Sequence, residues 1–457
     1  MALDDPQLLR VPAFEPPARS PGLRRMLRGV RTVVDGWPAS VFEGTVHRGL
    51  PWAPLVVSEP DIAHEVLVTR ADEFPHGELF NRLFRPVWGR GLFVVEGADW
   101  RWQRHAAAPA FRPARMHALA PIMRAGAEAA LARWQPGEPI DLHAEMRTLT
   151  LDVLFAAVLS GGQDFPDRAD ASRRIRAFLD GVGEFGLRDV LPLPDGWRGS
   201  NAARGGEHRE YLRERVGVML ARRRALAEQP DDLVTMLMTA EDPETGQRMD
   251  DALVRDNLLG FLAAGTDTSS NALAWALWLV AHHPTVEARL VDEVAAVTGG
   301  EPVVPKHVSR LVYARQVIQE TQRLFPGALA QVRSPTHDTT LAGHRVPRGT
   351  LVQIATYALH HRPDLWPDAA RFDPDRWAEG RPKPPAGAYL PFGLGPRICM
   401  GASFALTEMT VVLATLVRER RFAADLGRPL RLGVRLGAPV AAEGMWMCTE
   451  VRAAPAT

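Results

Sequence analysis

Apolar positions recur at helical spacing through the middle of the chain. From Trp100 to about Glu320, runs such as ARMHALAPIMRAGAEAALARW (114–134), EHREYLRERVGVMLARRRALAE (207–228) and VSRLVYARQVIQETQRLFP (308–326) place hydrophobic residues three and four apart. That spacing gives a helix one buried face, and Pro326 stops the last of them. The stretch 257–280, NLLGFLAAGTDTSSNALAWALWLV, is apolar on nearly every side. It is long enough to raise the question of a membrane span. Its central Thr266-Asp267-Thr268-Ser269-Ser270-Asn271 would be costly in lipid, so it reads as a helix buried in a soluble core. Near the ends the pattern shortens. PLVVS (54–58), LAQVRSP (329–335), DTTLAGHRVPRGT (338–350) and LVQIATYAL (351–359) read as strands, and IAHEVLVT (62–69) as a helix. A Pro/Gly-rich meander over about 363–396 precedes a helix at 402–420 and a β-rich tail. No repeat or low-complexity linker divides the chain. The expectation is a mainly α fold with small β-sheets, forming a single domain over 1–457.

Composition narrows this further. The chain has 457 residues, 46% hydrophobic and 24% charged, which excludes a disordered, collagenous or disulfide-dense protein. Lys+Arg and Asp+Glu are both 54, so there is no global pull toward nucleic acid and any charged docking face must be local. Two cysteines, Cys399 and Cys448, suit a reducing cytoplasm. The N-terminus, MALDDPQLLRVPAFEPP, lacks a cationic segment followed by an apolar one, so no targeting signal or membrane anchor is expected.

Chemistry concentrates in Phe392-Gly393-Leu394-Gly395-Pro396-Arg397-Ile398-Cys399-Met400-Gly401. A lone cysteine is usually a small buried hydrophobe, and that reading suits Cys448 on its apolar tail strand. Cys399 is different. It sits among glycines that allow tight turns and close approach to a flat ligand, two residues after an arginine able to clamp an anion, and just before a helix N-terminus that stabilises a thiolate. This arrangement can hold a thiolate against iron. The segment resembles, at every diagnostic position, the F-G-x-G-x-R-x-C-x-G ligand loop of the haem-thiolate monooxygenases, the cytochrome P-450 superfamily.

That resemblance gives meaning to motifs that are weak alone, and it extends over essentially the whole chain. Glu320 and Arg323 are three apart on one helix face, ordinarily a solvated pair. In the family, E-x-x-R joins a further arginine of the meander in a buried structural triad, here Arg376. Ala264-Gly265-Thr266-Asp267-Thr268-Ser269 reads by itself as a polar interruption that bends a core helix through a bond from threonine to the carbonyl four back. It matches the family's oxygen-binding helix, which implies that Thr268 hydrogen-bonds the dioxygen species and Asp267 feeds protons through water. Trp100 and Arg104, four apart, match W-R-x-x-R and imply haem-propionate contacts with Arg397. Arg333 fits a third by position, with Arg345 and Arg348 nearby. The resemblance implies the cytochrome P-450 fold, with haem b held between the oxygen-binding helix, at Ala264, and the loop Phe392, Gly393, Arg397, Cys399 and Gly401, and with Cys399 as iron ligand.

The implied activity is insertion of one oxygen atom from O2 into a hydrophobic small molecule, as hydroxylation or epoxidation. Phe84, Trp88, Phe93, Phe261, Ala264, Leu329 and Met445 are candidate pocket residues, each also readable as plain core. Arg82, Arg85 or Arg90 could meet a charged head group. The chain ends about fifty residues beyond the loop with no dinucleotide or flavin motif. The expectation is a monomer that takes electrons from ferredoxin or flavodoxin and an NAD(P)H-dependent reductase. Arg101, Arg112, Arg115, Arg418, Arg420 and Arg421 could form the docking face or be ordinary solvated arginines. The alternatives are a peroxide-using or isomerising enzyme on the same fold, and a non-catalytic haem sensor. The first commonly lacks the Asp-Thr pair that is intact here, and the second needs no proton relay.

Overall fold

A computed structural model describes residues 34–452 apart from 35–36, 45, 49–53, 160–167, 183–205, 243, 425–429 and 435–439. The N-terminal segment read above for a targeting signal lies outside the described residues. The helices that build the site are α1 (Glu78–Trp88), α2 (Gly97–Ala107), α3 (Ala120–Arg133), α4 (Leu142–Val158), α5 (Arg168–Val182), α6 (Gly206–Arg224), α7 (Asp251–Ala281), α8 (Val312–Leu324) and α9 (Ala402–Glu419).

Helix α7 is the axis of the molecule. Its first turn is fixed by Asp250, whose carboxylate accepts the Leu253 N–H at 2.7 Å. It runs through a core in which Leu258, Leu273, Trp275 and Leu277 are fully enclosed. It packs on α4 and α9, and α3 closes the ring by touching both of these. The four form a bundle, and the crossing of α7 with α4 depends on a missing side chain. A Cβ on Gly265 would sit 2.9 Å from Leu154 Cδ1 of α4, so glycine lets the two helices approach. Among the described residues no helix is long and apolar enough to cross a membrane.

The small sheets flank this bundle. One orders Val46–Arg48, Leu55–Val57, Val352–Ile354 and Gln331–Arg333, with the middle pair parallel and Val56 opposite Gln353. It covers a second hydrophobic cluster of Leu55, Val57, Leu67, Phe74, Val346 and Ile354. Another places Trp446–Val451 between Pro139–Asp141 and Arg420–Ala424.

Four expectations change. The helix read at 114–134 is two, Pro113–Ala118 and Ala120–Arg133, broken at Leu119 just before Pro121. The strand read at 351–359 ends at Ile354, and Thr356–His361 is helical. The run over 62–69 is helical but widens into a π-turn at Glu65–Thr69. Cys448 is half-buried in its strand rather than enclosed.

Candidate functional site

The cysteine loop leaves the meander and crosses the π-turn. Gly395 has φ +73°, and a Cβ there would lie 1.9 Å from the Leu67 carbonyl oxygen, so only glycine permits this seat. The Cys399 N–H donates to the Phe392 carbonyl at 2.8 Å and closes the loop, and Gly401 leads into α9. The Cys399 side chain is accessible, yet ringed by protein atoms. Burial pushes its thiol pKa up, while the Gly401 N–H, the Arg104 cation and the Ala402 N–H pull it down. Its neighbour Ile398 is 40% exposed, unusual for a large apolar side chain.

Within α7, Ala264 is exposed although Leu262, Ala263 and Thr266 around it are buried. An accessible alanine inside an enclosed helix marks the wall of an internal hollow. One turn on, the Thr268 hydroxyl donates to the Ala264 carbonyl at 2.7 Å. Asp267 accepts from Arg147 Nε of α4 at 3.0 Å, and the same guanidinium donates to Asp180 of α5 at 3.2 Å.

A third group is strongly cationic. Trp100 of α2 lies between Arg397, 4.2 Å from the ring centroid, and Arg104, at 5.7 Å. Arg333 is buried, and its pKa is pushed down to about 10 by burial and by Arg397. Burial also lowers Arg104, and burial and the neighbouring Arg104 weigh against the charge on Arg397. The counter-charge is Glu96, paired with Arg397 and 3.3 Å from His76 Nδ1. Burial drives the His76 pKa down to about 4 against the pull of Glu96, so the imidazole is neutral at physiological pH. Three guanidiniums face one carboxylate, which leaves two positive charges to be matched by a ligand.

The E-x-x-R pair is enclosed. Arg323 makes a bidentate pair with Glu320 at 2.8 and 2.9 Å, and Arg376 Nε reaches the same carboxylate at 3.1 Å. Trp377 Nε1 adds a fourth contact at 3.0 Å.

The pocket candidates separate into groups. Phe84, Trp88 and Phe93 join Phe80 and, from α5, Phe178 in one aromatic cluster with centroids 4.5–6.1 Å apart. Phe93 is 45% exposed. Phe261 lies apart, edge-on to Phe111. Leu329 and Met445 are packed in the main core, leaving little surface to line a pocket. Asp256 and Asn257 of α7 accept the N–H groups of Arg90 and Leu92 at 3.0 and 2.8 Å and so pin the chain between α1 and α2. The reading from sequence did not find His76, Glu96, Arg147, Asp256, Asn257 or Phe178. A signal existed for Phe178, since Ala171, Ile175 and Phe178 recur at helical spacing and are all buried.

The Cytochrome P450 family model matches residues 50–431. The chain belongs to the cytochrome P450 family. It is 33% identical over 377 residues to a cyclooctat-9-en-7-ol 5-monooxygenase of Streptomyces melanosporofaciens, covering 81% of this chain and 80% of that one. It is 34% identical over 379 residues to a cyclooctatin synthase of the same organism, with 81% of each chain covered. A pentalenene oxygenase of Streptomyces avermitilis is 30% identical over 384 residues, covering 82% of this chain and 83% of the other. This P450 is a haem-thiolate monooxygenase that uses haem b, O2 and a redox partner to oxygenate a hydrophobic small molecule. The residues fit the cofactor. The two unmatched positive charges suit two propionates, and an accessible thiol beside an exposed isoleucine suits an iron ligand under a flat apolar ring.

Proposed function

We propose that this P450 hydroxylates or epoxidises a cyclic terpene or terpenoid. The observation that carries the reading is the aromatic cluster of Phe80, Phe84, Trp88, Phe93 and Phe178, which offers a run of apolar faces. Arg90 is taken up by Asp250 at 2.7 Å. A narrow apolar cavity lined by Ile175, Phe178, Leu212, Leu259, Leu262 and Ala263 extends the same surface between α5, α6 and α7. The names of the Streptomyces relatives, which include an alkenol and pentalenene, support this class. Titration of the haem Soret band with cyclic terpene hydrocarbons and alcohols should give substrate-type shifts. Shifts produced by fatty acids alone would overturn the assignment.

Cys399 is taken as the iron ligand, Arg104, Arg333 and Arg397 with Trp100 as the propionate clamp, and Glu320, Arg323 and Arg376 as its structural support. Bound haem supplies dioxygen binding and oxidising power. The chain's part on the opposite side is to move protons. Asp267 is positioned by Arg147, and its carboxyl passes protons by water to the groove at Thr268. The Thr268 hydroxyl, set on the hollow beside Ala264, directs them. Thr268→Ala should keep haem and substrate binding but divert most reducing equivalents to hydrogen peroxide. Asp267→Asn should slow turnover instead, because it keeps the shape and removes the acid. Unchanged coupling in Thr268→Ala would reduce that residue to a helix-bending role.

The chain works as a single haem domain and a monomer in the cytoplasm. Two unpaired cysteines support a reducing compartment. Electrons come from a separate ferredoxin or flavodoxin with its NAD(P)H-dependent reductase. Of the candidate docking arginines, Arg115 is paired with Asp231 at 3.0 Å and Arg418 with Glu419 at 2.7 Å, whereas Arg101 and Arg112 are exposed with no acidic partner among the described residues. Arg112→Glu should therefore raise the apparent KM for an acidic ferredoxin more than Arg115→Glu does. Activity at sub-saturating ferredoxin should fall with salt, because exposed charges are screened beyond about 10 Å at 0.1 M ionic strength. Indifference to both salt and charge reversal would make these arginines bystanders.

A further inference from the structure

Three buried tryptophans give their indole N–H to the protein. Trp37 donates to Gln353, Trp134 to Glu145 and Trp366 to the Leu359 carbonyl, at 2.9–3.1 Å. Trp88, at the end of α1, differs. It is 8% exposed, its Nε1 is enclosed, and no acceptor lies in hydrogen-bond geometry with it. Among the described residues no other tryptophan is left so. An enclosed donor without an acceptor carries the full cost of its lost hydration, so a native structure that keeps one has a reason for it.

The ring is not free to turn and find one. It stands nearly perpendicular to Phe93, with centroids 6.1 Å apart, and to Phe178 of α5, 5.7 Å away. The backbone is tied down on both sides. Before the ring, the Pro86 carbonyl accepts from Arg209 of α6 at 2.7 Å. After it, the turn 89–92 is seated on α7. Gly89 has φ +58°, and a Cβ there would overlap the Asp256 carboxylate. The Arg90 N–H goes to Asp256 and the Leu92 N–H to Asn257. The Asn257 amide donates to Gln103 at 3.1 Å, and Gln103 donates back to the Arg90 carbonyl at 3.2 Å. This circuit has one direction only, because it starts on a backbone N–H and ends on a backbone carbonyl. The unpaired donor is therefore built in. A water beside it would need two to four partners, and the phenylalanine rings supply only weak π faces. Phe178 also lines the apolar cavity with Leu259, Leu262 and Ala263, next to the exposed Ala264, so the wall that carries Trp88 continues to the hollow.

We propose that the Trp88 indole N–H reads an oxygen on the substrate, and that the substrate is a terpenoid already carrying a hydroxyl, ether or carbonyl before this enzyme acts. This rests on the terpene reading given above and narrows it. A hydrocarbon covers the aromatic wall but leaves the donor unpaired, whereas an oxygenated ring system pairs it. A site built to bond such a group rejects the analogue that lacks it, because its own polar group is then stranded. The bond also fixes how the ring system lies, so the new oxygen enters at a set distance from the first. The substrate is then supplied by a reaction that leaves oxygen on the skeleton, either a cyclisation ended by water or an earlier oxygenation.

The test titrates the Soret band of the haem-loaded protein with menthane, menthol and menthone, which share one cyclic terpene skeleton. Menthol and menthone accept a hydrogen bond and menthane does not. The affinity ratio of menthone to menthane should fall about threefold to tenfold in Trp88→Phe, the worth of one hydrogen bond. Comparing ratios cancels the lost ring area, which affects all three ligands alike. Trp88→His, which returns a ring N–H, should recover part of the ratio. In wild-type protein carrying isotope-labelled tryptophan, one indole N–H resonance should move downfield with menthol and menthone and stay in place with menthane. That measurement decides the proposal if Trp88→Phe fails to fold. An unchanged ratio in Trp88→Phe, indole resonances indifferent to menthone, or a water still bonded to Trp88 Nε1 in a menthone-bound crystal would overturn it. Shifts of the Soret band from all three ligands with no dependence on Trp88 would overturn this proposal alone. Shifts from fatty acids and from none of the three would overturn the terpene reading and this proposal with it.

Discussion

Cys399→Ser should give a folded protein that has lost both turnover and the strongly red-shifted Soret band of reduced, carbon-monoxide-bound thiolate haem. The side chain is accessible, so oxygen in place of sulfur disturbs little packing. Its backbone N–H still closes the loop on Phe392. What is lost is the donor. A hydroxyl does not ionise at neutral pH and cannot push electron density onto iron as a thiolate does. Cys399→His should bind haem and show the unshifted band of a nitrogen-ligated iron. Cys448→Ala should keep the thiolate band and full activity, because Cys448 pairs with Ala423 and Pro139 in a sheet strand. A thiolate-type band surviving in Cys399→Ser would remove the residue from the iron.

The parts of the site that were readable from sequence are those whose chemistry constrains neighbouring residues. The Cys399 loop needs its glycines, its arginine and its cysteine within a few positions, and Gly395 shows the reason in its close seat against Leu67. The Ala264–Thr268 motif is similarly local, because the bend and the hydroxyl belong to one turn of helix. What was hidden depends on residues far apart in the chain. Arg147 reaches Asp267 from another helix, and Glu96 gains its role only where the start of α2 meets the cysteine loop. The strand and helix boundaries failed for a related reason. Thr356–His361 alternates like a strand, yet it turns helical where the His360 carbonyl accepts from Arg323 and the Tyr357 ring stacks on His361 at 4.0 Å. Tertiary partners overrode the local pattern.

The same contacts make Arg323→Ala the most damaging substitution expected outside the cysteine loop. All five guanidinium N–H donors are used. Two go to Glu320, and one each to the carbonyls of His360, Ala369 and Arg371 at 2.8–3.0 Å. One side chain therefore ties α8 to the helix Thr356–His361 and to the meander that leads into the cysteine loop. Removing it takes the bidentate partner from a fully buried Glu320 carboxylate, leaving Arg376, Trp377 and the Asp373 N–H, and strips three carbonyls of their donor. Breaking a buried pair in this way costs on the order of 3–5 kcal/mol, against a total stability of about 5–15 kcal/mol. Arg323→Ala should accumulate without haem or not accumulate at all. Arg323→Lys should not rescue it, because an ammonium has three donors and no planar fork to span Glu320 and the meander together. Arg376→Ala should be milder, since Glu320 keeps Arg323, Trp377 and the Asp373 N–H as partners. Haem content and thermal melting of the three variants, compared side by side, check the ranking. An Arg323→Lys protein with wild-type haem content and melting temperature would show that the charge alone, and not the fork of donors, holds the cysteine loop in place.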